Sequence, residues 1–288
     1  MLGQALVRPR RTARPATATG VHVSRVVHRV FTERTQPVFG IDAELARILI
    51  EAVGRGGEAD AYLASMGNSF ISMSEALLSE LPGELPNLDA VLLAYHSPDL
   101  YRSDVAGCYL ASRLPGTPVP CSVAAPGPGA AFLALRVADG MCRLGELNWA
   151  ALFGYDQKLA GWEIAGPARS WPDTAVFLQL GACGGAAVAE LDELAAGGPG
   201  DPAPARALAE VLDRHPQARV VAGAGLAVEM DGLGSDDRVE TVTMPWCTGV
   251  WDSVARRWPL RQPTLLADYE PAGGRLYTAL LVPTGQGD

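Results

Sequence analysis

The 288-residue chain has few side chains that could act as nucleophile, base or metal ligand: five cysteines (Cys108, Cys121, Cys142, Cys183, Cys247) and four histidines. No cysteine pair has CxxC spacing and none has a Cys/His metal spacing, so no metal centre is predicted. GxGxxG is absent, and GAGLAVEMDGLG lacks the strand–helix spacing of a nucleotide site, so no cofactor is implied. One stretch does have the shape of an active site. In residues 117–157 an apolar run (Val119 to Val123) leads into Pro126-Gly127-Pro128-Gly129, then an apolar helical stretch (130–142), then a second apolar run from Trp149 that ends at Tyr155–Gln157. A strand, tight turn and buried helix mount a nucleophile above a sheet, where the helix N-terminus stabilises developing negative charge. Here prolines and glycines fill the top of that turn.

Other candidates are scattered. Cys121 lies on the run before the turn and, with Cys108 and Cys142, is expected to be a buried thiol. Ser122 has no obvious base. Cys247 lies between Trp246 and Trp251; it could work with His96 or His215, or be a plain loop cysteine. His96 stands with Ser97 and Asp99, which are neighbours along the chain rather than a spatial triad.

The elements that must position these residues follow from periodicity. Strands are predicted at 21–30, 88–95, 119–123, 149–153, 174–180, 185–190, 219–225 and 275–282, with a further strand, turn and helix within 239–258 and a short segment of no assigned type at 263–268. Helices are predicted at 41–53, within 70–81, and at 103–113, 130–142 and 206–214. Strands alternating with helices imply an α/β fold. The two halves share a pattern, although no sequence repeat is visible; residues 1–19 read as an unstructured tail.

A hydrophobic content of 48% against 19% charged residues marks a folded globular chain. A net charge of −9 argues against a nucleic-acid partner bound through a basic surface. No apolar stretch of about 18 residues predicts a membrane span, and the odd, scattered cysteines suit a reducing cytoplasm. Lys158 is the only lysine, which points to a GC-rich, actinobacterial genome.

Three stretches resemble thiolase-fold β-ketoacyl-ACP synthases of type III. LDAVLLAYHSPD resembles the strand and polar loop before their active-site turn. ALRVADGMCRLGELNWAALFGYD resembles the helix and strand after it, and DTAVFLQL with GGAAVAEL the strand pair opening their second half. The resemblance spans about residue 20 to 285 and implies an α/β thiolase-like fold: two pseudo-repeated βαβαβ-type halves in stacked α-β-α-β-α layers, here 20–165 and 166–288. It also implies a Cys-His-Asn set, whose positions fall on Pro128, Gly223 and Cys247, so all three carriers of the chemistry are replaced. By the same resemblance, the strand holding Val119, Cys121 and Val123 would pair with its twin across a dimer, and Tyr101 or Arg102 would reach into the partner's acyl pocket.

The expected function is then a noncatalytic ketosynthase III-like subunit in bacterial secondary metabolism. It would form a heterodimer with a catalytic partner that handles acyl carrier protein or acyl-CoA. The noncatalytic subunit of 2-heptyl-4-quinolone synthase, similarly short and without the cysteine, is a precedent within the family. The alternative is a stand-alone acyltransferase, decarboxylase or cyclase that acts on carrier-bound acyl groups through Cys247, His96 or Tyr101.

Overall fold

Apolar alternation builds strands and a 3.6-residue apolar period builds helices. The computed structural model describes residues 20–34, 36–37, 43–52, 66–99, 105–157, 172–197, 203–229, 237–244 and 247–284. The first half contains β1 (His22–Phe31), β2 (Gln36–Pro37), α1 (Ala43–Ala52), β3 (Met66–Gly67), α2 (Phe70–Ser79), β4 (Leu88–Tyr95), α3 (Ala106–Arg113), β5 (Gly116–Ala124), α4 (Gly129–Arg143), β6 (Trp149–Asp156) and β7 (Asp173–Gly181). The second contains β8 (Ala186–Ala195), α5 (Ala203–Arg214), β9 (Arg219–Ala222), α6 (Ala224–Glu229), β10 (Val239–Thr241), α7 (Gly249–Arg256), β11 (Thr264–Glu270) and β12 (Arg275–Pro283).

The large sheet runs β10-β9-β11-β12-β8-β1-β7-β6-β4-β5. It divides into two groups of five strands built on one plan. In each group the first strand lies antiparallel to the fifth and the fifth antiparallel to the fourth. The fourth and third both run parallel to the second. Among the described residues the two groups share the strand pairs His22↔Ala187 and Val23↔Ala186. The shared pattern of the two halves is therefore a repeated topology.

Side chains alternate across each strand, so each group has an inner and an outer face. Leu92, Leu152 and Leu178 from one group, and Leu266, Ala279 and Leu281 from the other, meet around α4 and α7 in the central core. Phe153 and Phe177 face α2 and α3 on one outer side, and Leu265 and Tyr269 face α5 and α6 on the other. The result is the expected five-layer α-β-α-β-α stack, with the helix predicted over 130–142 at its centre. Among the described residues, no helix is long and apolar enough to cross a membrane.

Three expectations need correction. The segments 174–180 and 185–190 do not form a strand pair. β7 lies between β1 and β6 in the first group, while β8 starts the second. A run buried at every position carries no signal of which neighbours it takes. The expected boundary between 165 and 166, like the tail 1–19, lies outside the described residues. The strand predicted over 219–225 stops at Ala222, because α6 begins at Ala224. Cys108 and Cys121 are exposed while Cys142 is buried. Cys108 lies on the outward side of α3, and β5 is an edge strand with most of its residues exposed.

Leu135 is fully buried at the middle of α4. Leu135→Ala should lower unfolding free energy by about 2–5 kcal/mol, measured by urea denaturation followed by circular dichroism.

Candidate functional site at the head of the central helix

The sheets converge on the first turn of α4. Pro128 is its N-cap residue, with φ −75°, and makes no side-chain capping bond. A proline ring sets φ near this value and removes the N–H, so the position offers neither a nucleophile nor an oxyanion donor. Gly127 just before it has φ +55°, a left-handed conformation that favours glycine. A Cβ there would also lie 2.9 Å from Glu270 Cγ. One residue on, a Cβ on Gly129 would lie 2.8 Å from the Tyr277 ring. Tyr277 stacks on Phe132 with ring centroids 5.9 Å apart.

His96 reaches this turn. It follows β4, and its Nδ1 accepts the Gly127 N–H at 2.8 Å, so in the neutral ring the proton sits on Nε2. Asp99 turns elsewhere. Its Oδ2 accepts the Phe70 N–H at the start of α2 and its Oδ1 accepts from Gln157 Nε2. Asp99 thus joins the start of α2 to the end of β6.

Cys247 is brought to the same place from the second half. Its thiol is 1% exposed and donates to the Ala94 carbonyl at 3.6 Å. The residue lies at the head of α7, which Asp156 holds from the end of β6. Asp156 Oδ1 accepts the Cys247 N–H at 3.2 Å; its Oδ2 accepts the Thr248 N–H at 2.8 Å and the Thr248 hydroxyl at 2.9 Å. Thr174 extends the chain with a 2.6 Å contact to the Thr248 hydroxyl. Burial raises the Asp156 pKa, and the bonds from Thr248 and Cys247 oppose that shift. Burial, then the charge of Asp156, pushes the Cys247 thiol well up. A thiolate, the reactive form, is thus disfavoured at Cys247.

At Gly223 no side chain can emerge, because a Cβ would lie 2.0 Å from Asp268 Oδ2. Asp268 Oδ1 accepts the N–H groups of Tyr269 (2.8 Å), Gly225 (3.1 Å) and Leu226 (3.3 Å). Burial raises its pKa to about 7 against the pull of these bonds, with Asp156 adding to the rise.

His96 thus holds the turn before Pro128, Cys247 lies against Ala94 and the first turn of α4 at Ala131, and Asp268 fills the space beside Gly223. Val119, Cys121 and Val123 lie apart on the edge strand β5. Tyr101 and Arg102 lie outside the described residues. Asp156, Asp268 and Glu270 were not singled out from sequence. Their signal is an acid set into the end of an otherwise apolar strand, LFGYD and LADYE. No group of three or more His, Cys, Asp or Glu among the described residues could hold a metal.

Neither a protein-family model nor a curated protein sequence matches the chain. Solved structures do match. Thermus thermophilus β-ketoacyl-[acyl carrier protein] synthase III (FabH) aligns with TM-score 0.63 at 14% identity, covering 93% of this chain and 100% of that one. Xanthomonas campestris OleA with bound lauric acid and lauroyl-CoA aligns with TM-score 0.61 at 10% identity, covering 92% and 100%. AbyA1, a tetronic acid condensing enzyme, aligns with TM-score 0.59 at 16% identity, covering 91% and 99%. The chain has the thiolase fold of these ketosynthase III-like condensing enzymes.

Two outcomes follow from this site. In the native protein iodoacetamide should modify Cys108, Cys121 and Cys183 and spare Cys142 and Cys247, as read by peptide mass mapping before and after denaturation. The unfolded Asp268 carboxyl loses its proton near pH ~4 and the folded one near 7, so between them the folded state binds more protons. Stability should therefore fall as pH rises through that window, by up to about 1.4 kcal/mol per pH unit from this group. Asp268→Asn should flatten the slope in urea titrations across it.

Proposed function

We propose that the chain is a noncatalytic ketosynthase III-like subunit that pairs with, and shapes the acyl pocket of, an active ketosynthase or acyltransferase partner in bacterial secondary metabolism. The observation that carries this reading is Pro128 at the head of α4: the turn that would present a nucleophile has none, and the nearby thiol of Cys247 is buried in its protonated form. Acyl carrier protein or acyl-CoA would be engaged through the partner.

β5 supplies the pairing surface. It hydrogen-bonds only to β4 among the described residues, and Val119 is 65% exposed. Beside it α4 leaves Val137 and Leu144 exposed. Pro118 and Pro120 share one parity along the strand. Because a proline donates nothing to a ladder, its nitrogen faces the unpaired edge. Pairing with a second copy would lose these donors on both strands, whereas a different strand can donate to their carbonyls. This favours a heterodimer over a homodimer.

The test is co-expression with a ketosynthase III-like chain, followed by size-exclusion chromatography with mass detection and an acyl-transfer assay. A one-to-one complex is expected, with Cys121 protected from iodoacetamide. Val119→Lys should disrupt it without altering the fold of the isolated chain. Activity should need both chains and survive loss of this chain's cysteines. A homodimer with its own turnover, abolished by Cys247→Ala or His96→Ala, would make the chain an enzyme with relocated chemistry instead.

A further inference from the structure

The turn that opens α4, Pro126-Gly127-Pro128-Gly129, has few backbone donors. Its two prolines have no N–H to give. The Gly129 N–H closes the turn on the Pro126 carbonyl at 3.3 Å. That leaves the Gly127 N–H to tie the turn to its surroundings, and it goes to His96 Nδ1 at 2.8 Å. Gly127 is buried, and its φ of +55° sets the direction of that N–H. A neutral imidazole can accept at Nδ1, whereas an imidazolium carries a proton on both nitrogens and only donates. A protonated His96 would therefore meet the Gly127 N–H donor to donor and leave a buried N–H without an acceptor. His96 is half-buried, so it can exchange protons with solvent, and Pro126 is exposed, so the turn can move outward.

We propose that His96 is a proton-operated latch on this turn: the neutral ring holds Gly127, and the protonated ring lets it go. The turn joins β5, the edge strand, to α4, the central helix. Protonation therefore loosens that junction while the neighbouring strands stay paired. The titratable groups around the latch come from five elements. Asp99 lies in the same loop, with its carboxyl taken by the Phe70 N–H and Gln157. Asp156, whose pKa burial raises, stands at the end of β6 and is near enough to feel the His96 charge. Glu270 on β11 packs at Gly127, Tyr277 on β12 packs at Gly129, and the Cys247 thiol at the head of α7 bonds to the Ala94 carbonyl. Of these contacts, the Gly127 N–H is the one that protonation at Nδ1 must break. The latch belongs to this chain alone and needs no partner or ligand.

The test follows the isotope-labelled full chain by heteronuclear NMR from about pH 8 to about pH 5, the range in which imidazoles titrate. The His96 ring nitrogens report the proton and the Gly127 amide reports the bond, and both should change with one midpoint. Hydrogen exchange at Gly127, corrected for its intrinsic pH dependence, should lose at least about tenfold of its protection, the scale of one lost hydrogen bond. The Leu92 amide in β4 should keep its protection. His96→Gln offers the same N–H a side-chain oxygen that does not titrate, so protection at Gly127 should no longer depend on pH. His96→Ala, checked for folding by circular dichroism, should show the low protection already at about pH 8. The proposal is overturned if the ring takes up its proton while Gly127 stays protected, or if the ring stays neutral down to about pH 5. It is equally overturned if Leu92 loses protection together with Gly127, or if His96→Gln keeps the wild-type pH dependence.

Discussion

Asp156 belongs to the first half and holds the head of a helix that belongs to the second. Its two oxygens take two backbone N–H groups and one hydroxyl from Cys247 and Thr248. A buried carboxylate is tolerable only with such donors, and the N–H groups at the head of α7 have no partner within their own helix. The bond fixes α7 against β6 and, through Thr248 and Thr174, against β7. By topology β11 is the counterpart of β6, and its terminal acid, Glu270, packs in turn against Gly127 at the head of α4. The carboxylate of Glu270 bonds back to the N–H groups of Ala272 and Gly273 in its own turn. Each central helix therefore starts beside an acid from the opposite half, but only α7 is capped by it.

That asymmetry governs what the site can do. The head of α4 keeps the positive end of a 15-residue helix without a capping side chain. Around it stand His96, held through Nδ1, and a set of buried acids that oppose further negative charge. Such surroundings work against a thiolate at Cys247, which is buried and bonded to the Ala94 carbonyl. Burial likewise favours the neutral form of Asp268.

Much of this architecture was legible in the chain because long apolar runs and the Pro/Gly turn carry their own punctuation. α4, β4 and β6 stand close to where periodicity put them, and the Pro/Gly turn that opens α4 could be read directly from the sequence. The repeat of topology was legible only as pattern, yet LFGYD and LADYE occupy equivalent strand ends and can be matched once β6 and β11 are paired by their neighbours. Asp268 could not be found from sequence. Its meaning comes from a contact with Gly223, 45 residues away along the chain (268 − 223), and a glycine gives no sign of what fills the space its side chain leaves. The exposure of Cys121 was equally hidden, since an edge strand and a central strand share the same apolar composition and differ only in whether a further neighbour arrives.

A proline at the head of α4 is structurally mild. The first N–H groups of a helix have no partner within it, so losing one costs little, and the proline φ already suits the first turn. Pro128 therefore does not loosen α4, whose buried face of Ala130, Ala131, Ala134, Leu135 and Ala138 packs between the two groups of strands. At Gly223 the space a side chain would take is filled by Asp268, which also accepts the N–H groups of Gly225 and Leu226 at the start of α6. This sets a polar group at the centre of the layer, where burial penalises an unpaired oxygen.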